Sequence, residues 1–145
     1  MRRLLAGLLV ASALTGCSDS PEDVRADYCE LVEENQVALT EALAEDTPDA
    51  LLGALPIFRE LAEDAPRDID DDWTAFIGAL EGLEEALEAA GVDAASYDAE
   101  KPPADVTEEE QDAIAAAADE LFGVSAAFEA VKQQAKDVCK TPLYQ

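Results

Sequence analysis

The chain has 145 residues, with 34 Asp and Glu against 9 Lys and Arg, a formal net charge of −25 and no histidine. Such a charge opposes binding to nucleic acid or an anionic lipid face and favours a cationic partner or none, while the lack of histidine removes the commonest general base and metal ligand. Hydrophobic residues make up 49%, swollen by alanine, which suits one helical domain with a modest core better than a disordered acidic tail.

The first element in chain order is a leader. Met1-Arg2-Arg3 is a positive n-region, Leu4 to Leu14 an apolar run, and Thr15-Gly16 a pair of small residues, the layout of a secretory signal. The run is about half of the roughly 20 apolar residues that a membrane span needs. Leu14-Thr15-Gly16-Cys17 resembles the lipobox of bacterial lipoproteins. The resemblance implies that residues 1–16 are a signal peptide cut before Cys17, whose thiol carries diacylglycerol, with palmitate among the acyl chains on that residue. The protein is then exported and anchored to the cell membrane by acylated Cys17. The other reading is an ordinary signal peptide cut near Gly16, which leaves an exported free thiol. Two or three acyl chains on one residue hold firmly where a single chain does not. Residues 17–20 form a spacer, of which Ser18-Asp19-Ser20 reaches only ~10 Å. Without the leader, seven basic side chains face 34 acids, a charge of −27 over 129 residues.

Residues 21–145 form the expected domain. Ser20-Pro21-Glu22-Asp23 supplies an N-cap, a proline at the first helical position and acids in the first turn. This helix carries Val24, Tyr28, Leu31, Val32, Leu39 and Leu43 on one face, with Asn35 and Gln36 interrupting the stripe, and is predicted to end near Glu45 or Asp46. Thr47-Pro48-Asp49 repeats the start signal for a second helix, which Pro56 is predicted to kink or break. Ala65-Pro66 ends it. Asp68-Ile69-Asp70-Asp71-Asp72 reads as the cap of a third helix, whose Trp73, Phe76, Leu80, Leu83, Leu87 and Ala90 step by 3, 4, 3, 4, 3. Gly91 is its expected C′ residue. Gly91 to Val106 is the one long connection and holds Tyr97. Thr107 with Glu110 reads as a capping box, and Ile114, Ala117, Leu121, Val124, Phe128, Val131, Ala135 and Val138 continue a fourth helix with Gly123 as a joint. Lys132, Lys136 and Lys140 suit its negative end, and Thr141-Pro142 stops it.

The predicted fold is therefore all-α, an up-and-down four-helix bundle. With Cys17 assigned to lipid, Cys29 and Cys139 remain, and an even pair in an exported protein reads as a disulfide. Two separate buried thiols are the alternative; two cysteines without histidine make no zinc site. An even number of antiparallel helices brings Cys29, early in the first helix, and Cys139, at the end of the last, to the same pole. Tyr28-Cys29, Val138-Cys139, Trp73 and the Ala65-Pro66 corner also resemble small uncharacterised lipoproteins of high-GC Gram-positive bacteria, a likeness that implies no particular activity.

Few residues suggest chemistry. Asp68, Asp70 and Asp72 imitate the first three ligands of a calcium loop, but Trp73 stands where the turn needs glycine and Ala79 where a bidentate glutamate belongs. Glu81, Glu84, Glu85 and Glu88 pair carboxylates as any acidic helix does, with no sign of a sugar cleft. Asn35 and Gln36, if turned inward, would line a polar pocket or bind a ligand; otherwise they join a satisfied core hydrogen-bond pair or turn to the edge of the stripe. Tyr97 is a candidate contact residue unless it folds back on the bundle. The expected function is that of a non-enzymatic accessory or binding module at the cell envelope, monomeric, held to the membrane by lipid, with a cationic or protein partner and no cofactor. The alternative is a metal- or small-molecule-binding lipoprotein that uses the Asp68–Asp72 cluster or an interhelical pocket. An envelope hydrolase built on carboxylates ranks last.

Overall fold

The computed structural model describes residues 20–45 and 47–145; among these every regular element is helical and none is a strand. The leader and Cys17 lie outside the described residues. Helix α1 spans Pro21–Ala42 and opens on the expected N-cap, Ser20, which Asp23 completes into a capping box: the Asp23 N–H donates to the Ser20 hydroxyl and the Ser20 N–H donates to the Asp23 carboxylate, both at 3.2 Å. It ends about one turn before the predicted boundary, at Leu43. Its buried side chains are Tyr28, Val32 and Leu39.

Helix α2, Pro48–Glu63, runs through Pro56 without a break, contrary to the sequence reading. Pro56 is on the exposed face. The ring costs about 3 kcal/mol in a helix interior, but Leu55, Phe58 and Leu61 are fully buried on the other face, each contributing about 1.5–3 kcal/mol. Packing of those three outweighs the lost hydrogen bond.

Helix α3, Asp70–Ala89, begins after Ile69, with no side-chain cap. The acids at 70–72 therefore act on the helix dipole rather than as cap acceptors, and Asp68 lies in the preceding turn. Trp73, Phe76, Leu80, Leu83 and Leu87 are buried, as the 3–4 spacing predicts. Gly91, at φ +66°, ends the helix in a Schellman arrangement. The Val92 N–H reaches the Leu87 carbonyl at 3.1 Å and the Gly91 N–H the Glu88 carbonyl at 3.0 Å. A 3-10 turn, Ala94–Ser96, then orders the long connection.

The predicted fourth helix is divided. Helix α4, Glu108–Gly123, starts on the Thr107–Glu110 capping box and ends at Val124 (φ −96°, ψ 11°), after which α5 spans Ser125–Gln134 and a π-helical turn covers Ala135–Cys139. Five α-helices among the described residues thus stand where four were expected, and the break is at the glycine joint. Glycine is about 1 kcal/mol worse than alanine inside a helix, so register is most cheaply given up there.

Helix α3 is the hub. It packs against α2, α4 and α5, whereas α1 packs on α2 and on the π-helical turn. An aromatic chain crosses the interior: the Trp73 indole N–H donates to the Tyr28 hydroxyl at 3.4 Å, Phe58 lies 6.0 Å from Trp73 and 5.2 Å from Phe76, and Phe76 stacks on Phe128 at 4.2 Å. Burial raises the Tyr28 pKa, against the Trp73 hydrogen bond that lowers it and with the Asp68 charge that adds to the rise. A disulfide joins Cys29 to Cys139, with Cα atoms 5.1 Å apart and a sequence separation of 110. After it Lys140 turns through φ 60° and the tail runs back along α1. The Gln36 side chain donates to the Pro142 carbonyl at 2.6 Å, the Gln145 N–H donates to Thr40 Oγ1 at 3.0 Å, and Leu143 is buried between them.

Candidate functional site

The most distinctive surface lies along the side of α4 and α5 that faces α2. Ile114, Leu121, Phe128 and Ala135 repeat every seven residues and carry the seam toward α3. Phe122 comes one residue after the seam and so points about 100° away from it. It is 70% exposed. On either side of this ring is a hollow. One, of about 540 Å³, lies between Leu43 at the end of α1, Pro48 and Leu51 at the start of α2, and Phe128 and Tyr144. The other, of about 480 Å³, lies between Leu52, the Leu83 and Leu87 end of α3, Tyr97, and Ile114 and Ala115 of α4. Pro48, Ala118 and Phe122 belong to both, so the two form one trough interrupted by an aromatic ridge.

The tertiary arrangement accounts for the trough. Helices α2 and α4 flank α3, which forms the floor, while α1 meets the last arm chiefly at the π-helical turn. The gap between α2 and the α4–α5 arm is therefore left open above α3. The floor is apolar; Glu45, Asp49, Asp112 and Glu129 stand on the rim. Lys132 also lines it but is committed: it pairs with Glu129 and lies over the rings of Phe128 and Tyr144, at 5.3 and 5.8 Å from their centroids. Burial by itself would lower its pKa, but the Glu129 hydrogen bond and the charges of Tyr144 and Glu129 raise it on balance. The Thr47 hydroxyl lines the first hollow, buried and without a hydrogen-bond partner among the described residues.

The sequence candidates are dispersed. Tyr97 folds back against the core, half-buried, and lines the second hollow. Asn35 donates to the Leu31 carbonyl within its own helix at 3.1 Å, and Gln36 holds the C-terminal tail; neither lines the trough. Asp70 and Asp72 sit in the first turn of α3 with Asp68 before it, and among the described residues no three Cys, Asp or Glu side chains converge as a metal ion requires. No protein-family model, curated protein or solved structure matches this chain. What the site can do follows from its own residues: an apolar floor offers burial, an acidic rim offers attraction to cations, and the ridge divides what is bound into two parts. Phe122 has no place in the sequence reading above. Its signal is a large aromatic immediately beside the 3–4 seam, on a face otherwise made of alanine and acids.

Proposed function

We propose that this protein is a lipid-anchored, exported, non-enzymatic binding module of the cell envelope, whose partner seats in the trough around Phe122. In this reading α4 and α5 are one jointed arm, and the chain is an up-and-down four-helix bundle stapled at the end nearest the anchor. The observation that carries the reading is the apolar trough itself, opened by an exposed aromatic on a surface that otherwise repels most macromolecules by charge. Its position adds support. The trough opens among the end of α1, the start of α2, the end of α3 and the start of α4, the pole opposite Ser20, and runs from there along α4 and α5 to Lys132. A helix of 22 residues is about 33 Å long. Acylated Cys17, four residues before Pro21, would thus hold the stapled pole near lipid and turn the open end of the trough away from it.

Among the described residues no helix is long and apolar enough to cross a membrane, so attachment in this proposal rests on the lipid alone. The volumes of the hollows also favour a second reading, a lipoprotein that binds a small apolar molecule, since ligand pockets typically enclose about 300–1,000 Å³. Intact-mass analysis of the mature N-terminus tests the anchor; an unmodified Cys17, or cleavage elsewhere, refutes it. Titration with a neutral polarity-sensitive dye such as Nile red tests the trough. Saturable binding at one dye per hollow or fewer, reduced in Phe122→Ser, is expected; binding unaffected by that substitution refutes the site.

A further inference from the structure

We infer that the trough receives a cationic amphipathic helix of a partner protein, laid along α4 and α5 with apolar side chains in both hollows and basic ones against the rim. The inference rests on the proposed binding role and names the class of partner. Length comes first. The lining positions of the last arm run from Gln111 to Lys132, which at 1.5 Å per residue is about 30 Å of trough. That is the length of a helix of about 20 residues, and both hollows are open to solvent along it rather than closed around a compact molecule.

The relief along the trough fits a helix as well. Ala115, Ala118 and Ser125 are small, and Phe122 rises among them. An amphipathic helix presents its anchors at i, i+3 or i+4 and i+7, so one turn's side chains can fall before the ridge and the next after it. Charge decides among the possible occupants. Glu45, Asp49, Asp112 and Glu129 stand on the rim, and the single lining cation, Lys132, is already paired with Glu129. A second copy of this chain would bring −25 against −25. An acidic segment or anionic lipid meets the same repulsion, whereas a helix with lysine or arginine beside its apolar stripe gains on approach.

The test uses the chain from Ser18 onward, which holds every described element and contact. Three synthetic peptides of about 20 residues are compared. One has leucine at 3–4 spacing and lysine elsewhere, one is its scrambled isomer, and one carries glutamate in place of lysine. Binding is read by fluorescence anisotropy at physiological salt and by displacement of Nile red. The leucine–lysine peptide is expected to bind one per chain, displace the dye, bind at least about tenfold more tightly than its scrambled isomer, and lose about tenfold in Phe122→Ser. Asp49→Asn/Asp112→Asn should weaken it, and the glutamate peptide should not bind. Equal binding of the scrambled isomer, or no effect of Phe122→Ser in a variant with unchanged circular dichroism, overturns the inference. Dye binding that depends on Phe122 but resists the peptide overturns it too while leaving the binding role intact; no Phe122-dependent binding of either probe removes both.

Discussion

Replacing Cys29 and Cys139 together by serine removes a cross-link but little packing, since both are only half-buried. The bond closes a loop across 110 residues. In the chain-entropy relation that loop restricts the unfolded ensemble by about 16 cal/mol/K, or about 4.8 kcal/mol at 25 °C. A domain of this size is stable by only about 5–15 kcal/mol, so the loss approaches the whole margin. With an unfolding entropy of about 2.1 cal/mol/K per residue, the expected fall in Tm is about 18 °C. Urea unfolding followed by far-UV circular dichroism measures it: the midpoint should fall and the slope should rise, because the uncrosslinked chain exposes more surface. The negative charge sharpens the test. A chain of −27 side-chain charges swells when unfolded at low salt, so the penalty should shrink in 1 M salt, where the screening length is about 3 Å. A loss below about 1 kcal/mol at both salt concentrations would show that the bond does not act by restricting the unfolded chain.

Three further outcomes follow from named contacts. Leu143→Ala should cost about 2–5 kcal/mol although it lies beyond the last helix, because its side chain is 1% exposed, and Gln36→Ala should release the same tail at lower cost; chemical denaturation of both variants reads this. Tyr28→Phe should cost about 1–3 kcal/mol by leaving the buried Trp73 N–H without an acceptor, measurable through Trp73 fluorescence as a lower urea midpoint. The Ser20 and Thr107 capping boxes hold Asp23 and Glu110 below their usual carboxylate range through the side-chain and backbone bonds to Ser20 and the backbone and side-chain bonds to Thr107. A depressed folded pKa contributes stability that is present above the ordinary values of 3.8 and 4.5 and is lost as pH falls through the folded ones. The gap in Tm between the native chain and Ser20→Ala/Thr107→Ala should therefore be wide at pH 6 and narrow toward pH 2; a gap independent of pH contradicts the assignment.

Local signals carried most of the helical content. The Ser20 N-cap, the Thr107 capping box, Gly91, and the stepping of Trp73, Phe76, Leu80, Leu83 and Leu87 depend on residues within a few positions of one another, and each appears where its chemistry implies. The disulfide was also legible, because only two cysteines remain in the domain. Where local rules failed, a distant contact prevailed: Pro56 is tolerated because Leu55, Phe58 and Leu61 pack against other helices, and Asn35 and Gln36 interrupt the stripe of α1 without forming a pocket because one returns to its own backbone and the other holds Pro142.

The candidate site was nearly illegible for the same reason. Phe122 becomes informative only when α2 and α4, packed separately on α3, leave a gap beside it. Tyr97 was a loose candidate until the 3-10 turn placed it against the second hollow. By itself the sequence determined charge, helical class, most boundaries and the stapling pair, since these arise from composition and from neighbours along the chain. Only the tertiary structure decided where the helices leave a gap, because a gap is set by the relative placement of α2, α3 and α4–α5 across sequence separations that no local pattern encodes.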